Sequence, residues 1–216
     1  MIFKIIIVVL VLLIIFIYYI SYSNHKGKHT KNSESKDSNT YYKEEIDSFS
    51  ILSKNSIEDN KVKELLIKDD IILIEDKCFI NCTNLSNIKV DEDNNNYCSK
   101  LGVLFSSDMK TIICYPPLKQ TSTYFIPQGV QNINTHAFLN NNSIKYVIIP
   151  TSLDNIGENS FVNCKNLSQI VIPENVTNIH PRAFNLCPRL IIRCYKDSVA
   201  AEFCKRYYIP CEYLTS

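Results

Sequence analysis

An α/β-type solenoid of stacked 23-residue units is the fold class this sequence predicts. Three observations predict it. Phe138, Phe161 and Phe184 recur every 23 residues, and so do Ile133, Ile156 and Ile179. Aligned on the phenylalanines, the later apolar positions coincide: Ile144 with Leu167 and Leu190, Val147 with Ile170, Ile149 with Ile172, Pro150 with Pro173, Leu153 with Val176. The unit therefore reads I-x-x-x-(A/S)-F-x-x-C-x-x-L-x-x-I-x-I-P-x-x-V. A fixed period of roughly 20–29 residues around an L-x-x-L-x-L-like core marks a leucine-rich repeat.

The physics of one unit explains why the pattern must repeat. A short strand buries Leu167, Ile170 and Ile172, and a return segment carries Phe161. No unit closes a core by itself, so neighbours must cover each other's faces. Phe79, Cys82, Leu85, Ile88 and Val90 carry the same spacing further upstream. Phe79 lies 59 residues before Phe138, which reads as one unit plus a 36-residue insertion at about 91–127. Within it, Val103–Phe105 and Thr111–Tyr115 are expected to pair as a β-hairpin across Ser-Ser-Asp-Met-Lys. Earlier still, Val62, Leu65, Ile67, Ile71 and Ile74 fit one partial unit.

The N-terminus is of another kind. Ile5 to Ile20 form an unbroken apolar run after Lys4. At about 1.5 Å per residue it spans roughly 24 Å, and the flanking apolar residues extend it toward a bilayer's width. Residues 1–22 are therefore expected to be a transmembrane helix, with a cleaved signal segment ending near Ser23 as the alternative. Residues 23–48 are polar and mixed in charge, and are read as a disordered tether. Lys26, Lys28 and Lys31 come after the apolar run, which by the positive-inside rule would keep the domain in the cytoplasm. A single N-terminal signal anchor, by contrast, commonly exports the domain C-terminal to it. Both topologies stay open, with the cell surface preferred. The repeat domain then spans 49–194 and the cap 195–216.

The repeat resembles the BspA-like leucine-rich repeats, also called the Treponema pallidum type, of bacterial and protist surface proteins. The segments NSFVNCKNLSQIVIPENVTNI and INTHAFLNNNSIKYVIIPTSLDNI carry the resemblance. The insertion LGVLFSSDMKTIICYPP and the ending KDSVAAEFCKRYYIPCEYL are also similar to elements of that family. By this resemblance the ending forms a short helix near 198–206 and a strand near 209–214. The resemblance implies cell-surface display, adhesion to host or neighbouring cells, and antigenicity. The last unit departs from the pattern, with LIIRCY in place of the I-x-I-P step, as suits a terminus.

Composition excludes several other functions. Net charge is +1 at pH 7, which gives no reason to expect nucleic acid. Four glycines form no phosphate-cradling loop. Nine cysteines raise the question of metal or redox chemistry. Cys82, Cys164 and Cys187 share one repeat place, filled by Asn141 in the remaining unit, and Cys78 takes the small slot held by Ala137, Ser160 and Ala183. These read as small buried hydrophobes. Cys194, Cys204 and Cys211 fall in the cap, and Cys98 and Cys114 in the insertion. No CxxC pair exists, so no metal site and no cofactor are expected. A cap disulfide such as Cys204–Cys211 stays open in an oxidising compartment. His136 and His180 occupy different repeat places and read as surface histidines on return loops. No catalytic residue is expected. Five N-x-(S/T) sequons begin at Asn81, Asn84, Asn141, Asn166 and Asn175, a weak signal in an asparagine-rich chain.

The candidate partner-binding face is the outward side of the strand row. One column holds Glu64, Asn87, Tyr146 and Gln169, and the next holds Leu66, Lys89, Ile148 and Val171. The second is largely aliphatic, which a purely solvated face rarely is. It either binds a protein or glycan ligand or packs against itself or a terminal segment. Tyr146 is the best single anchor, since aromatic rings dominate interface energetics. The function expected is that of a membrane-anchored interaction protein of adhesin or surface-antigen type, with a cytosol-facing scaffold as the alternative.

Overall fold

The computed structural model describes residues 40–41, 50–53, 56–57 and 61–215. The expected anchor over 1–22 and most of the tether lie outside the described residues. Among the described residues no helix is long and apolar enough to cross a membrane.

Each full turn of the solenoid contributes two strands, so there are two strand rows where the sequence predicts one. The first row contains β1 (Thr40–Tyr41), β3 (Glu64–Ile67) and β5 (Asn87–Val90), paired parallel in that order. It resumes in a five-stranded parallel sheet of β9 (Thr123–Phe125), β11 (Tyr146–Ile148), β13 (Gln169–Ile172), β15 (Ile191–Cys194) and β16 (Cys211–Tyr213). The second row starts with β2 (Ser50–Leu52) beside β4 (Ile71–Ile74). It continues with β8 (Thr111–Cys114), β10 (Asn132–Ile133), β12 (Asn155–Ile156) and β14 (Asn178–Ile179), all parallel. Composition alone assigns the residues of β1 to the tether. Their pairing with Glu64 and Leu65 places an ordered strand there instead.

The α/β label gives way to a β-solenoid with one terminal helix. The return segments are turns around the phenylalanines, and their backbone explains why they are not helical. His136 and Asn159, two residues before the phenylalanine, and Asn140, Asn163 and Leu186, two residues after it, all have positive φ. In the Phe138 and Phe161 turns a left-handed residue on each side of the ring ends any helix before one turn is complete, and asparagine tolerates that conformation best among non-glycine residues.

The phenylalanines stack into a continuous spine. Ring centroids are 4.5 Å apart for Phe138–Phe161 and 5.3 Å for Phe161–Phe184, with planes within 17° of parallel. The spine extends where the sequence predicts an insertion: Tyr115 stacks on Phe138 at 4.8 Å. Tyr115 lies one 23-residue period before Phe138, and Ile126, Pro127 and Val130 lie one period before Ile149, Pro150 and Leu153. β8 and β9 occupy the two strand rows in register with β10 and β11. The interval between Phe79 and Phe138 thus holds two periods and 13 residues more.

Those extra residues build the hairpin, which is present and larger than expected. β6 (Tyr97–Lys100) and β7 (Val103–Ser106) pair antiparallel through a two-residue turn, and β7 pairs antiparallel with β8. Leu101 and Gly102 both have positive φ, as a type I′ turn requires. Buried Asn94 fixes the entry: its Nδ2 donates to Lys68 O and Ile71 O, and its Oδ1 accepts from Asn96 N and Tyr97 N. Leu104 and Cys114 fill the core on the N-terminal side of the hairpin, while Val103, Phe105 and Ile112 fill the core on the C-terminal side.

The cap helix α1 (Val199–Tyr207) is N-capped by Ser198, whose Oγ accepts from Ala201 N. Phe203 turns its ring edge-on to Phe184 at 5.9 Å, which ends the parallel stack, and packs in turn on Tyr207 at 4.7 Å. β16 then covers the edge of β15, which would otherwise be free to pair with another chain.

Candidate binding face

Strand pairing decides which outward residues stand side by side. In β11 and β13, Tyr146 pairs with Gln169 and Ile148 with Val171, while Val147 and Ile170 between them are buried. In β3 and β5, Glu64 pairs with Asn87 and Leu66 with Lys89. Each predicted column therefore falls into two groups of two, one in the three-stranded sheet and one in the five-stranded sheet. Leu66, Ile148 and Val171 are half-buried, Tyr146 is 43% exposed, and Lys89 is exposed.

The structure adds neighbours to these columns that the repeat alignment does not contain. β9 puts Thr123 beside Tyr146 and Phe125 beside Ile148. β15 puts Ile191 beside Gln169 and Arg193 beside Val171, and β16 puts Glu212 beside Arg193. One outward column thus runs Phe125, Ile148, Val171, Arg193, Glu212. Phe125 is 69% exposed, more than any other large apolar side chain of the five-stranded sheet. The signal that finds it is the Ile126-Pro127-x-x-Val130 step, hidden because its unit has tyrosine in place of phenylalanine. The column ends in charge: Arg193 Nε lies 3.5 Å from Glu212 Oε2. On the other sheet Lys89 Nζ lies 3.8 Å from Glu64 Oε2. Both pairs are solvent-exposed, so each is worth at most about 1 kcal/mol.

The groups with chemical potential have structural partners. Cys164 donates its S–H to Phe138 O at 3.1 Å, and Cys187 donates to Phe161 O at 3.0 Å, the same bond one turn on. Asn141 in this place donates to Pro116 O and Pro117 O and accepts from Ser143 N and Ile144 N. The repeat place thus serves a turn-to-turn hydrogen bond. The hydrogen bond with Cys187 and burial push the Cys164 thiol up, and burial pushes Cys114 up, both away from the reactive thiolate. His136 is half-buried, with Nε2 3.4 Å from Asn159 Nδ2. Burial and the Lys77 charge hold it below the usual histidine range, against the opposing pull of Glu158 and Asp76. His180 Nδ1 accepts from Arg182 N at 3.2 Å, a local turn contact. The fold does gather Cys194, Cys204 and Cys211, which the sequence leaves as scattered cap cysteines. All nine cysteines are unbridged.

Comparison with known proteins agrees with this architecture. A family model described as the BspA type leucine rich repeat region matches residues 42–124 and 114–200, in 6 copies. The overlap of the two matches falls on the turn that carries Tyr115. Among solved structures, the fold is similar to a leucine-rich repeat protein from Eubacterium ventriosum, with 25% identity and a TM-score of 0.57 over 63% of this chain and 37% of that one. It is also similar to a leucine rich cell surface protein from Faecalibacterium prausnitzii, with 25% identity and a TM-score of 0.52 over 72% of this chain and 48% of that one. The chain spans less than half the length of either structure. No curated protein matches the sequence.

Proposed function

Since the chain belongs to the BspA type leucine-rich repeat family, we propose that it is a non-enzymatic interaction protein that binds a protein or glycan ligand through the outward face of β9, β11, β13, β15 and β16. The observation that carries this reading is the column Phe125, Ile148, Val171, which keeps apolar side chains in contact with water beside Tyr146. Such a stripe next to an Arg193–Glu212 pair offers an apolar centre with a charged rim, the composition of a protein-binding patch. Aromatic residues supply the anchors, so Tyr146 and Phe125 carry most of the binding. The likeness to a bacterial cell surface protein supports display at the cell surface, and residues 1–22 provide the membrane anchor.

A second reading keeps the fold and the face but turns the domain to the cytosol as a tethered scaffold. Lys26, Lys28 and Lys31 favour it. Protease treatment of intact cells carrying a C-terminally tagged chain separates the two. Loss of the tag supports surface display, whereas survival until the cells are permeabilised supports the scaffold. The face itself is tested by Phe125→Ala and Tyr146→Ala. Each is expected to leave Tm nearly unchanged and to weaken binding to cells or ligand by about tenfold or more. If both variants bind like the native chain, the face is misassigned.

A further inference from the structure

Three thiols converge in the cap from three different elements: Cys194 from the end of β15, Cys204 from α1 and Cys211 from the start of β16. Their Sγ atoms all lie within 4.8 Å of one another, and those of Cys194 and Cys211 are 3.4 Å apart. Elsewhere cysteines bond to the backbone, and Cys164 and Cys187 are hydrogen-bonded to each other as well. Cys78, Cys98, Cys164 and Cys187 each donate S–H to a backbone carbonyl, at 3.5, 3.3, 3.1 and 3.0 Å. In the cap three thiols face one another, with the Ser198 hydroxyl beside Cys194.

We propose that Cys194, Cys204 and Cys211 form a tri-thiolate site for a thiophilic d10 cation, with zinc as the ion. At a Zn–S distance of about 2.3 Å, three corners of a tetrahedron lie about 3.8 Å apart. The present spacings reach that by side-chain shifts of about 1 Å or less. Cys194 and Cys204 are buried, whereas Cys211 is half-buried, so the fourth position and the entry path lie on the Cys211 side and suit a water ligand. Charge favours zinc over copper(I). With three thiolates the zinc complex carries one negative charge and the copper complex two, and the buried cap penalises the larger. Loading breaks three S–H bonds, forms three Zn–S bonds and releases three protons to solvent, with no change of oxidation state. The bound ion would tie β15, α1 and β16 together at the C-terminal end of the solenoid.

The test uses the full chain, reduced, metal-free and in detergent, titrated with Co²⁺ and then Zn²⁺, with a parallel arm in Cu⁺. One cobalt per chain with a thiolate-to-cobalt charge-transfer band is expected. One equivalent of zinc should displace it and raise Tm. Cys211→Ser, at a half-buried edge position, should fold as judged by circular dichroism and lose about 100-fold or more in affinity. Cys98→Ser should bind as the native chain does. The proposal is overturned by absence of the cobalt band in folded, reduced protein, or by undiminished binding in Cys211→Ser. A metal-free native chain two hydrogens lighter, mapped to Cys194–Cys211, would replace the site with a structural disulfide. Binding of copper(I) alone would overturn the choice of zinc.

Discussion

Asn141 shows how a single position can hold one turn against the next by either of two side chains. In the Cys82, Cys164 and Cys187 turns, the N–H three residues on (Leu85, Leu167, Leu190) bonds to the backbone carbonyl of the cysteine. In the Asn141 turn the corresponding Ile144 N–H goes to Oδ1 instead, while Nδ2 reaches back to Pro116 and Pro117. Asn141→Ala removes both sets of bonds in a fully buried place and is expected to cost about 3 kcal/mol. Asn141→Cys restores the donor and lets Ile144 adopt the bond made by Leu167, so it should cost about 1 kcal/mol or less. Urea denaturation of the two variants checks the difference; equal losses would mean that the turn cannot switch between the two patterns.

The hairpin is the element at which the repeat is interrupted and the two halves of the core meet. Its β6–β7 turn depends on Gly102, at φ +77°, where an added Cβ would overlap Asn87 Oδ1. Gly102→Ala therefore combines an unfavourable dihedral with a collision and is expected to cost about 1–2 kcal/mol or somewhat more. Asn87→Ala in the same background should recover the collision and leave the dihedral cost. A double variant no more stable than Gly102→Ala alone would assign the whole effect to the backbone.

Stacking makes the whole molecule cooperative. Phe161 is fully buried between Phe138 and Phe184, so Phe161→Ala opens a cavity in the spine and should cost about 3–5 kcal/mol. The loss should appear as a lower denaturation midpoint; a change below about 1 kcal/mol would mean that the turns do not depend on the spine. Buried acids set the alkaline limit. Burial raises Cys114 and Tyr124, and Cys164 is raised too, so these groups stay protonated in the folded chain while the unfolded chain begins to lose thiol protons near pH 9. The folded state then binds more protons, so stability is complete below about pH 9 and falls as pH rises above it. Each such thiol contributes a slope of up to about 1.4 kcal/mol per pH unit. Urea midpoints measured between about pH 7.5 and 10.5 check the sign.

The resemblance of the ending to a family terminus indicated the cap. Periodicity determined the repeat length, the inward residues from Leu65 to Leu190, the repeat place of Cys164 and Cys187, and which outward residues align. These rest on local spacing, which one unit's chemistry enforces on the next. The turn with Tyr115 and Ile126-Pro127 was legible too, in phase with the turns after it, but tyrosine stands in the phenylalanine place and a 13-residue surplus separates it from the turn before. Only the tertiary structure decided the rest. The second strand row depends on two-residue strands too short to read without their partners, and left-handed His136 and Asn159 show themselves only in the backbone. Phe125 joins the outward column through β9 pairing with β11. Cys194, Cys204 and Cys211 lie up to 17 residues apart in sequence, and their sulfurs come together because α1 folds back between two strands that pair side by side.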